Sequence, residues 1–416
     1  MFQKLYLFSS AYIFRNMTPK ARDTYLNKLI ESMNAPVIKV ISGVRRCGKS
    51  TLLDIFESYL LSSGIERERI IRIDMDTKSV KEKVSDWKDM YDLVTTSIKK
   101  GVRNYVLLDE VQNIDDWESA LISMYTELDA DLYVTGSNAM MLSPDLGTKL
   151  VGRFIEIPVL PLSFKEYLDF TDSKNENTSF MEYVKTGGFP SVALLYERPA
   201  LQKDMLMGIY STVLDLDLAK KNEIRDVALL RDLVEYLIEN IGNTVSAKSI
   251  SDYLNSNGRK SNPHTIENYL LMMERAFLLY RVRRYDISGK LRLKTLGKYY
   301  VVDSGFRGLI GGRPDGAGRI LENIVYLELI RRGYEVNVGK IGPHEVDFIA
   351  KGWGDERIYI QVTRTMFEES TAERELRSLL EIKDNHPKLI LSMDPEMTDG
   401  HQGIKYRNIV RWLLDD

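Results

Sequence analysis

The chain has 416 residues, enough for two or three domains that each bury a core of their own. Its composition, with 44% hydrophobic residues, 28% charged residues and a formal net charge of −3, is typical of a soluble globular protein. The single cysteine, Cys47, excludes an intrachain disulfide framework and indicates a reducing, cytoplasmic environment.

The first segment, residues 1–34, is predicted to be an N-terminal lead-in. Its apolar stretch, Leu5–Phe14, is far shorter than the roughly 20 residues that a membrane-spanning helix requires. No other apolar run approaches that length, so we expect no insertion into a membrane.

The next segment, residues 35–165, predicts a parallel sheet covered by helices, because short β-rich runs alternate with helical stretches. The predicted strands are Val37–Ser42, Ile70–Asp74, Tyr105–Asp109, Leu132–Gly136 and Phe154–Pro158. The predicted helices are Lys49–Leu61, Lys88–Lys99 and Trp117–Glu127. Ligands of such sheets bind beyond the carboxyl ends of the strands, so the residues that follow each strand are candidate site residues.

The first strand leads into a glycine-rich motif, G-x-x-x-x-G-K-S. A strand, a glycine turn and a helix in this order form a cradle for the phosphates of a nucleotide, with backbone N–H groups and the helix N-terminus facing the anion. Lys49 is predicted to reach the β- and γ-phosphates, and the Ser50 hydroxyl to bind Mg²⁺. The predicted nucleotide-binding residues are Gly43, Val44, Arg45, Arg46, Cys47, Gly48, Lys49, Ser50 and Thr51.

The third strand ends in a pair of acidic residues, Asp109 and Glu110. A carboxylate pair after a buried strand, one strand beyond a phosphate loop, is typical of nucleotide hydrolysis. Asp109 is predicted to bind Mg²⁺, usually through water, and Glu110 to orient and polarise the attacking water.

Polar residues near the fourth and fifth strands are further candidates. Ser137 and Asn138 follow the fourth strand, and either one is expected to contact the γ-phosphate or the water. An Asx or Ser turn is the alternative. Arg153 precedes the fifth strand and is predicted to stabilise transition-state charge, in its own subunit or in a neighbouring one. A plain surface arginine is the other interpretation.

These motifs resemble one family closely. The segments ISGVRRCGKSTLL, LLDEVQNIDDWESAL, VTGSNAMMLS, LVGRF and PLSFKEYL are similar to those of prokaryotic AAA-type P-loop ATPases with a double arginine in the phosphate loop. The resemblance implies ATP as the nucleotide, supports the roles given above to the loop, Asp109, Glu110 and Arg153, and implies a following domain of unknown function.

The middle of the chain changes character. Residues 166–225 read as a helical linker region, and residues 226–305 as a winged-helix-like domain with three helices and a hairpin. The predicted elements are the helices Val227–Ile241, Ser246–Asn255 and Pro263–Ala276 and the strands Phe277–Tyr285 and Lys298–Val302. Ser246 and Asn262 are expected to cap the second and third helices, with Pro263 at the first helical position.

Residues 259–298 are strongly basic, with ten Lys or Arg residues against three Asp or Glu residues. A basic patch on a helix-turn-helix relative favours contact with DNA phosphates. Docking of a subunit, a partner protein or a domain is the alternative, and so is a merely solvated surface.

The last segment, residues 306–416, is similar to the core of PD-(D/E)XK nucleases. The resemblance lies in a helix, three strands, a helix and a further strand, with Glu322 and Asp347 as the metal-binding acids. The third strand should carry an acid and a lysine, but it reads Gln361-Val362-Thr363. We therefore expect a nuclease-like domain that is inactive.

Together these features predict an α/β protein that binds ATP. The leading hypothesis is a Mg²⁺-dependent ATPase in which hydrolysis moves the winged-helix and nuclease-like regions, with DNA as a candidate target. A nucleotide-gated binding switch with little turnover and an ATP-dependent nuclease are the alternatives. A homo-oligomer or a partner protein is compatible with either.

Overall fold

The computed structural model of the protein describes residues 20–139, 152–311, 317–354, 356–395 and 400–415. The chain forms two compact units, of which the first ends at Val159 and the second begins at Leu160. No helix in the described ranges is long and apolar enough to cross a membrane.

A parallel sheet forms the centre of the first unit. In the part of this unit that the structure describes, five strands lie in the order β2-β3-β4-β1-β5, and all neighbours run parallel. The strands are β1 Ile38–Ser42, β2 Ile70–Asp74, β3 Asn104–Asp109, β4 Ala130–Gly136 and β5 Phe154–Pro158. The predicted P-loop α/β fold is confirmed, and each predicted strand agrees with an observed one to within two residues.

Helices cover this sheet. They are α1 Asp23–Glu31, α2 Lys49–Ser62, α3 Lys78–Lys81, α4 Trp87–Ser97 and α5 Trp117–Glu127. Helix α4 begins where the Asp86 side chain accepts hydrogen bonds from the backbone N–H groups of Lys88 and Asp89, which caps its N-terminus. Apolar side chains of α4 and α5 pack with β3 and β4 in one continuous core.

The second unit starts with helices. They are α6 Phe164–Thr171, α7 Glu176–Thr186, α8 Pro190–Ala193, α9 Pro199–Thr212 with its π-helical continuation Val213–Lys220, α10 Val227–Glu239, α11 Ala247–Ser256 and α12 Pro263–Arg275. Ser246 and Asn262 cap α11 and α12, and Pro263 occupies the first turn of α12, as predicted. Further along the chain lie α13 Gly305–Ile310, α14 Ala317–Arg331, α15 Glu369–Leu380 and α16 Ile409–Leu414.

A mixed sheet runs through the second unit. Its described strands are β6 Thr244–Val245, β7 Leu279–Asp286, β8 Leu291–Val301, β9 Glu335–Ile341, β10 His344–Lys351, β11 Arg357–Val362, β12 Lys388–Ser392 and β13 Ile404–Asn408, in the order β13-β12-β11-β10-β9-β7-β8-β6. The hairpin β7–β8 joins the later strands because β7 pairs in parallel with β9. Strands from the predicted winged-helix and nuclease-like segments therefore form one sheet.

Candidate functional site

The phosphate loop connects the buried strand β1 to helix α2. Gly43 has φ = +149°, and a Cβ at this position would lie 2.2 Å from the carbonyl oxygen of Val159. Gly48, with φ = +103°, ends the loop directly before α2. Gly43 is required because another backbone lies too close for a side chain, and Gly48 because its backbone is left-handed. These two requirements explain the spacing of the glycines in the motif.

Lys49 is the first residue of α2, and its side chain folds back over the loop. The Nζ atom donates hydrogen bonds to the carbonyl oxygens of Gly43 and Val44 at 3.0 and 3.1 Å. It also lies 3.8 Å from Oε1 of Glu110. The ammonium group is thus buried at the loop, between main-chain acceptors and a carboxylate.

The remaining loop residues differ in their surroundings. Arg46 is exposed and has φ = +71°, whereas Arg45 and Ser50 are half-buried and Thr51 is exposed. The Cys47 side chain is fully buried, and this burial raises the pKa of its thiol. Cys47 therefore packs under the loop as an uncharged group.

Asp109 lies at the end of β3, with its side chain 3% exposed. Its carboxylate accepts hydrogen bonds from Thr135, from Ser50 and, at 3.0 Å, from the guanidinium of Arg72. Burial acts to raise the pKa of Asp109, but the charge of Arg72 and the three hydrogen bonds outweigh it, and the pKa falls below its ordinary value. The carboxylate is therefore ionised and lies against the Ser50 hydroxyl.

Glu110 follows in the left-handed region with φ = 54°, a conformation that costs an L-residue about 1–2 kcal/mol. Its backbone N–H donates to the Thr135 hydroxyl at 2.9 Å. Its Oε2 atom accepts hydrogen bonds from Gln112 and, at 3.1 Å, from Ser137. This turn brings the Glu110 carboxylate to the phosphate loop.

The two polar candidates after β4, Ser137 and Asn138, differ in burial. Ser137 is buried, and its hydroxyl donates to Glu110. Asn138, the next residue, is half-buried.

Arg153 lies at the other end of the sheet. It directly precedes Phe154, which pairs with Ile38 at the start of β1, whereas the phosphate loop follows the end of β1. Five residues of strand separate the two positions, about 16 Å. The guanidinium lies 5.9 Å from the ring centroid of Tyr125. Arg153 therefore lies at the amino ends of the parallel strands, whereas the phosphate loop of the same subunit lies at their carboxyl ends.

Three neighbours of these acids were not predicted as site residues. Arg72 on β2 bridges Asp109 and, at 3.2 Å, Asp54 on α2. Thr135 joins Asp109 to the backbone of Glu110, and Gln112 contacts the Glu110 side chain. A charged residue inside the apolar run Ile70–Asp74 was a signal for Arg72, whereas Gln112 follows a turn that the sequence does not reveal.

The Lys and Arg residues of the basic region 259–298 differ in their exposure and in their ion pairs. Arg281 and Arg283 are exposed on one face of β7, on either side of the buried Val282. Arg259 is exposed and forms an ion pair with Asp232. Lys298, by contrast, is buried, so its expected place in a basic surface is wrong.

Two parts of the chain match known protein families. Residues 35–168 match a family model described as an AAA domain, and residues 177–315 match one described as a domain of unknown function. Over 400 residues the chain is 38% identical to an uncharacterized protein of Haemophilus influenzae, and the match spans 95% of this chain and 98% of that protein. The chain belongs to the same family as that protein.

More distant relatives include an uncharacterized protein of Methanocaldococcus jannaschii, 29% identical over 400 residues that span 91% of this chain and 86% of that protein. A Walker-type ATPase of Pyrococcus abyssi, known from its structure, is 18% identical with a TM-score of 0.44, covering 71% of this chain and 99% of that chain. The AAA match confirms that this chain carries an AAA-type domain, as the motifs predicted. Neither of the two family models extends over residues 317–416.

Proposed function

We propose that the protein is a Mg²⁺-dependent ATPase whose site consists of the phosphate loop, Asp109 and Glu110. One observation carries the proposal: groups distant in sequence converge at the loop. The Ser50 hydroxyl bonds to Asp109, and Lys49 Nζ lies 3.8 Å from Glu110 Oε1. Phosphoryl transfer requires such a cation, a metal-binding pair and a water-orienting carboxylate within one small volume.

The triphosphate is proposed to bind along the backbone N–H groups of residues 43–51. Lys49 then exchanges the carbonyl oxygens of Gly43 and Val44 for oxygens of the β- and γ-phosphates. Because the ammonium is already buried at the loop, little side-chain freedom is lost in this exchange. The N-terminus of α2 adds a favourable dipole.

The Ser50–Asp109 pair fits Mg²⁺. Both groups offer hard oxygen ligands, and Mg²⁺ is commonly held by one or two carboxylates together with the phosphates of its substrate. The lowered pKa of Asp109 keeps this ligand ionised. Bound Mg²⁺ supplies charge neutralisation for the β- and γ-phosphates.

Glu110 is proposed to orient the attacking water, while Ser137 and Gln112 hold its Oε2 atom. Asn138 is proposed to contact the γ-phosphate from the end of β4. We infer that Arg153 acts on the nucleotide of a neighbouring subunit, since it lies away from the loop of its own. This last role requires a homo-oligomer.

We further propose that hydrolysis moves the second unit, with its winged-helix-like segment 226–305 and nuclease-like segment 306–416. DNA is the proposed partner of the exposed arginines of β7, because Arg281 and Arg283 are exposed and lie on the same face of the strand.

Calorimetric titration with ATP and Mg²⁺ tests binding. Lys49→Ala is expected to weaken ATP at least about tenfold, since a charge-assisted hydrogen bond contributes about 1.5–3 kcal/mol. Lys83→Ala, which removes an exposed lysine of the same unit, serves as the control and should bind like the wild type. Equal affinities for all three proteins would contradict the proposed site.

Phosphate release separates turnover from switching. Glu110→Gln is expected to bind ATP normally but to hydrolyse it about 10²- to 10⁴-fold more slowly, because the amide cannot accept a proton from water. A wild-type rate equal to that of Glu110→Gln would instead favour a nucleotide-gated switch with little turnover.

A further inference from the structure

A buried lysine lies at the centre of an acidic cluster in the second unit, far in sequence from the phosphate loop. Lys298, on β8, is 4% exposed. Its Nζ atom lies 2.8 Å from Glu345, 3.2 Å from Glu322 and 3.6 Å from Asp347. These three carboxylates come from β10 and α14, so one ammonium group joins the hairpin to a strand and a helix.

The neighbouring polar groups have their hydrogen bonds satisfied within the protein. The Tyr300 hydroxyl donates to Glu322 at 3.2 Å, and Asp347 accepts from the backbone N–H of Val362 at 2.9 Å. Gln361 accepts from the N–H of Asp347 at 2.6 Å and donates to Glu375 at 2.7 Å. The Gln361 oxygen thus faces a backbone donor and is not directed at a metal position.

The electrostatics of the cluster keep the lysine charged. Burial acts to lower the pKa of Lys298, but the surrounding acidic groups raise it well above its ordinary value. Burial, together with mutual repulsion, raises the pKa values of Glu322 and Asp347, and Lys298 opposes this rise. Lys298 is therefore the counter-ion of the cluster.

The nuclease resemblance implies a Mg²⁺ ion held by Glu322 and Asp347, and the arrangement of these residues does not fit one. The Lys298 ammonium group lies between the carboxylates of Glu322 and Asp347. A Mg²⁺ ion bound to both acids would need the same position. These residues instead form a network of ion pairs centred on Lys298.

We propose that the Lys298 ammonium group is the permanent cation of this cluster and occupies the position that a divalent ion would take. Through its ion pairs it links the β7–β8 hairpin to α14 and β10. The site then binds no metal in the native protein and cuts no DNA. Removing the lysine side chain would leave three carboxylates without a counter-ion, and a divalent ion becomes their natural substitute. The proposal does not depend on the ATPase activity.

Manganese uptake by the nucleotide-free, full-length protein tests this, with free Mn²⁺ measured by electron paramagnetic resonance. The wild type, Asp347→Asn and Glu322→Gln are expected to take up Mn²⁺ equally. Lys298→Met is expected to bind one additional ion, which the double variant Lys298→Met/Asp347→Asn loses again. Lys298→Arg, which keeps the positive charge, should behave like the wild type.

Thermal unfolding provides a second readout. Lys298→Met is expected to melt several degrees below the wild type, and Mn²⁺ should restore part of that loss in this variant alone. Should Lys298→Met fail to fold, the comparison of wild type with Asp347→Asn and Glu322→Gln still decides the matter. Mn²⁺ uptake by the wild type that either of these substitutions abolishes would overturn the proposal, as would a folded Lys298→Met that gains no ion.

Discussion

The close approach of Gly43 to Val159 sets the shape of the phosphate loop. Both residues belong to the first unit, and the carbonyl oxygen of Val159 occupies the space that a side chain at Gly43 would need. Val159 also donates its N–H to the carbonyl oxygen of Ser42 at 2.7 Å, so the two backbones are fastened together. The loop has no room to relax at this point.

Gly43→Ala is therefore expected to displace the loop and weaken ATP binding by about tenfold or more, since misplaced N–H groups lose charge-assisted hydrogen bonds. Calorimetric titration with ATP measures this loss. Gly64→Ala is a matched control, because Gly64 also has a positive φ but a Cβ there meets nothing within 4 Å. Equal ATP affinities for the two variants would show that crowding at Gly43 does not shape the site.

At the scale of elements, periodicity and capping residues predicted most strands and helices well. Helix α11 begins after Ser246 and α12 after Asn262, as expected, because a cap acts through hydrogen bonds to its own neighbours. The placement of the β7–β8 hairpin in the larger sheet was not predictable. Its parallel pairing with β9 involves residues more than 50 positions apart, and no local pattern encodes such a pairing.

The exposed face of β7 supplies an element-scale prediction. Arg281→Gln/Arg283→Gln is expected to weaken duplex DNA binding and to reduce the slope of log K against log salt by about 2, since each phosphate contact contributes about 0.9. Fluorescence anisotropy measures the slope between roughly 50 and 200 mM salt, a range over which affinity that depends on phosphate contacts falls steeply. Arg377→Gln/Lys383→Gln removes two exposed charges elsewhere in the unit and should leave the slope unchanged. An equal effect of both double variants would exclude a specific role for β7.

At the scale of the whole molecule, one buried acid makes the stability of the second unit depend on pH. Asp303 accepts hydrogen bonds from the N–H groups of Gly188 and Gly305, at 2.7 and 2.9 Å, and joins segments more than 100 residues apart. Burial raises the pKa of Asp303 to about 7, although these two hydrogen bonds act to lower it.

Because this pKa is higher in the folded than in the unfolded state, the folded unit binds the proton more tightly between pH 4 and pH 7. The free energy of unfolding should therefore fall as the pH rises, by up to about 4 kcal/mol from this group. Asp303→Asn lacks the titration, so the unfolding free energy of the wild type should fall relative to that of the variant as the pH rises over this range. Urea unfolding at several pH values measures it, and a constant difference would contradict the assignment.

The sequence by itself determined the phosphate loop, the acidic pair after β3 and the α/β class of the first unit. These features depend on local chemistry: glycines at left-handed or crowded positions, a lysine beside them, and apolar runs of strand length. Lys49, Ser50, Asp109 and Glu110 meet because parallel strands end at one edge of the sheet, which is a general rule of such folds.

Only the tertiary structure decided which charges meet across long stretches of chain. In the folded chain Arg153 lies away from the phosphate loop of its own subunit, and Arg72 forms an ion pair with Asp109. Lys298, which belongs to the basic region in sequence, is buried within a cluster of acidic side chains. The physical reason is that the energy of a charge depends on burial and on its neighbours within a few ångströms. Those neighbours come from other strands and helices, so the local sequence around a charged residue does not contain them.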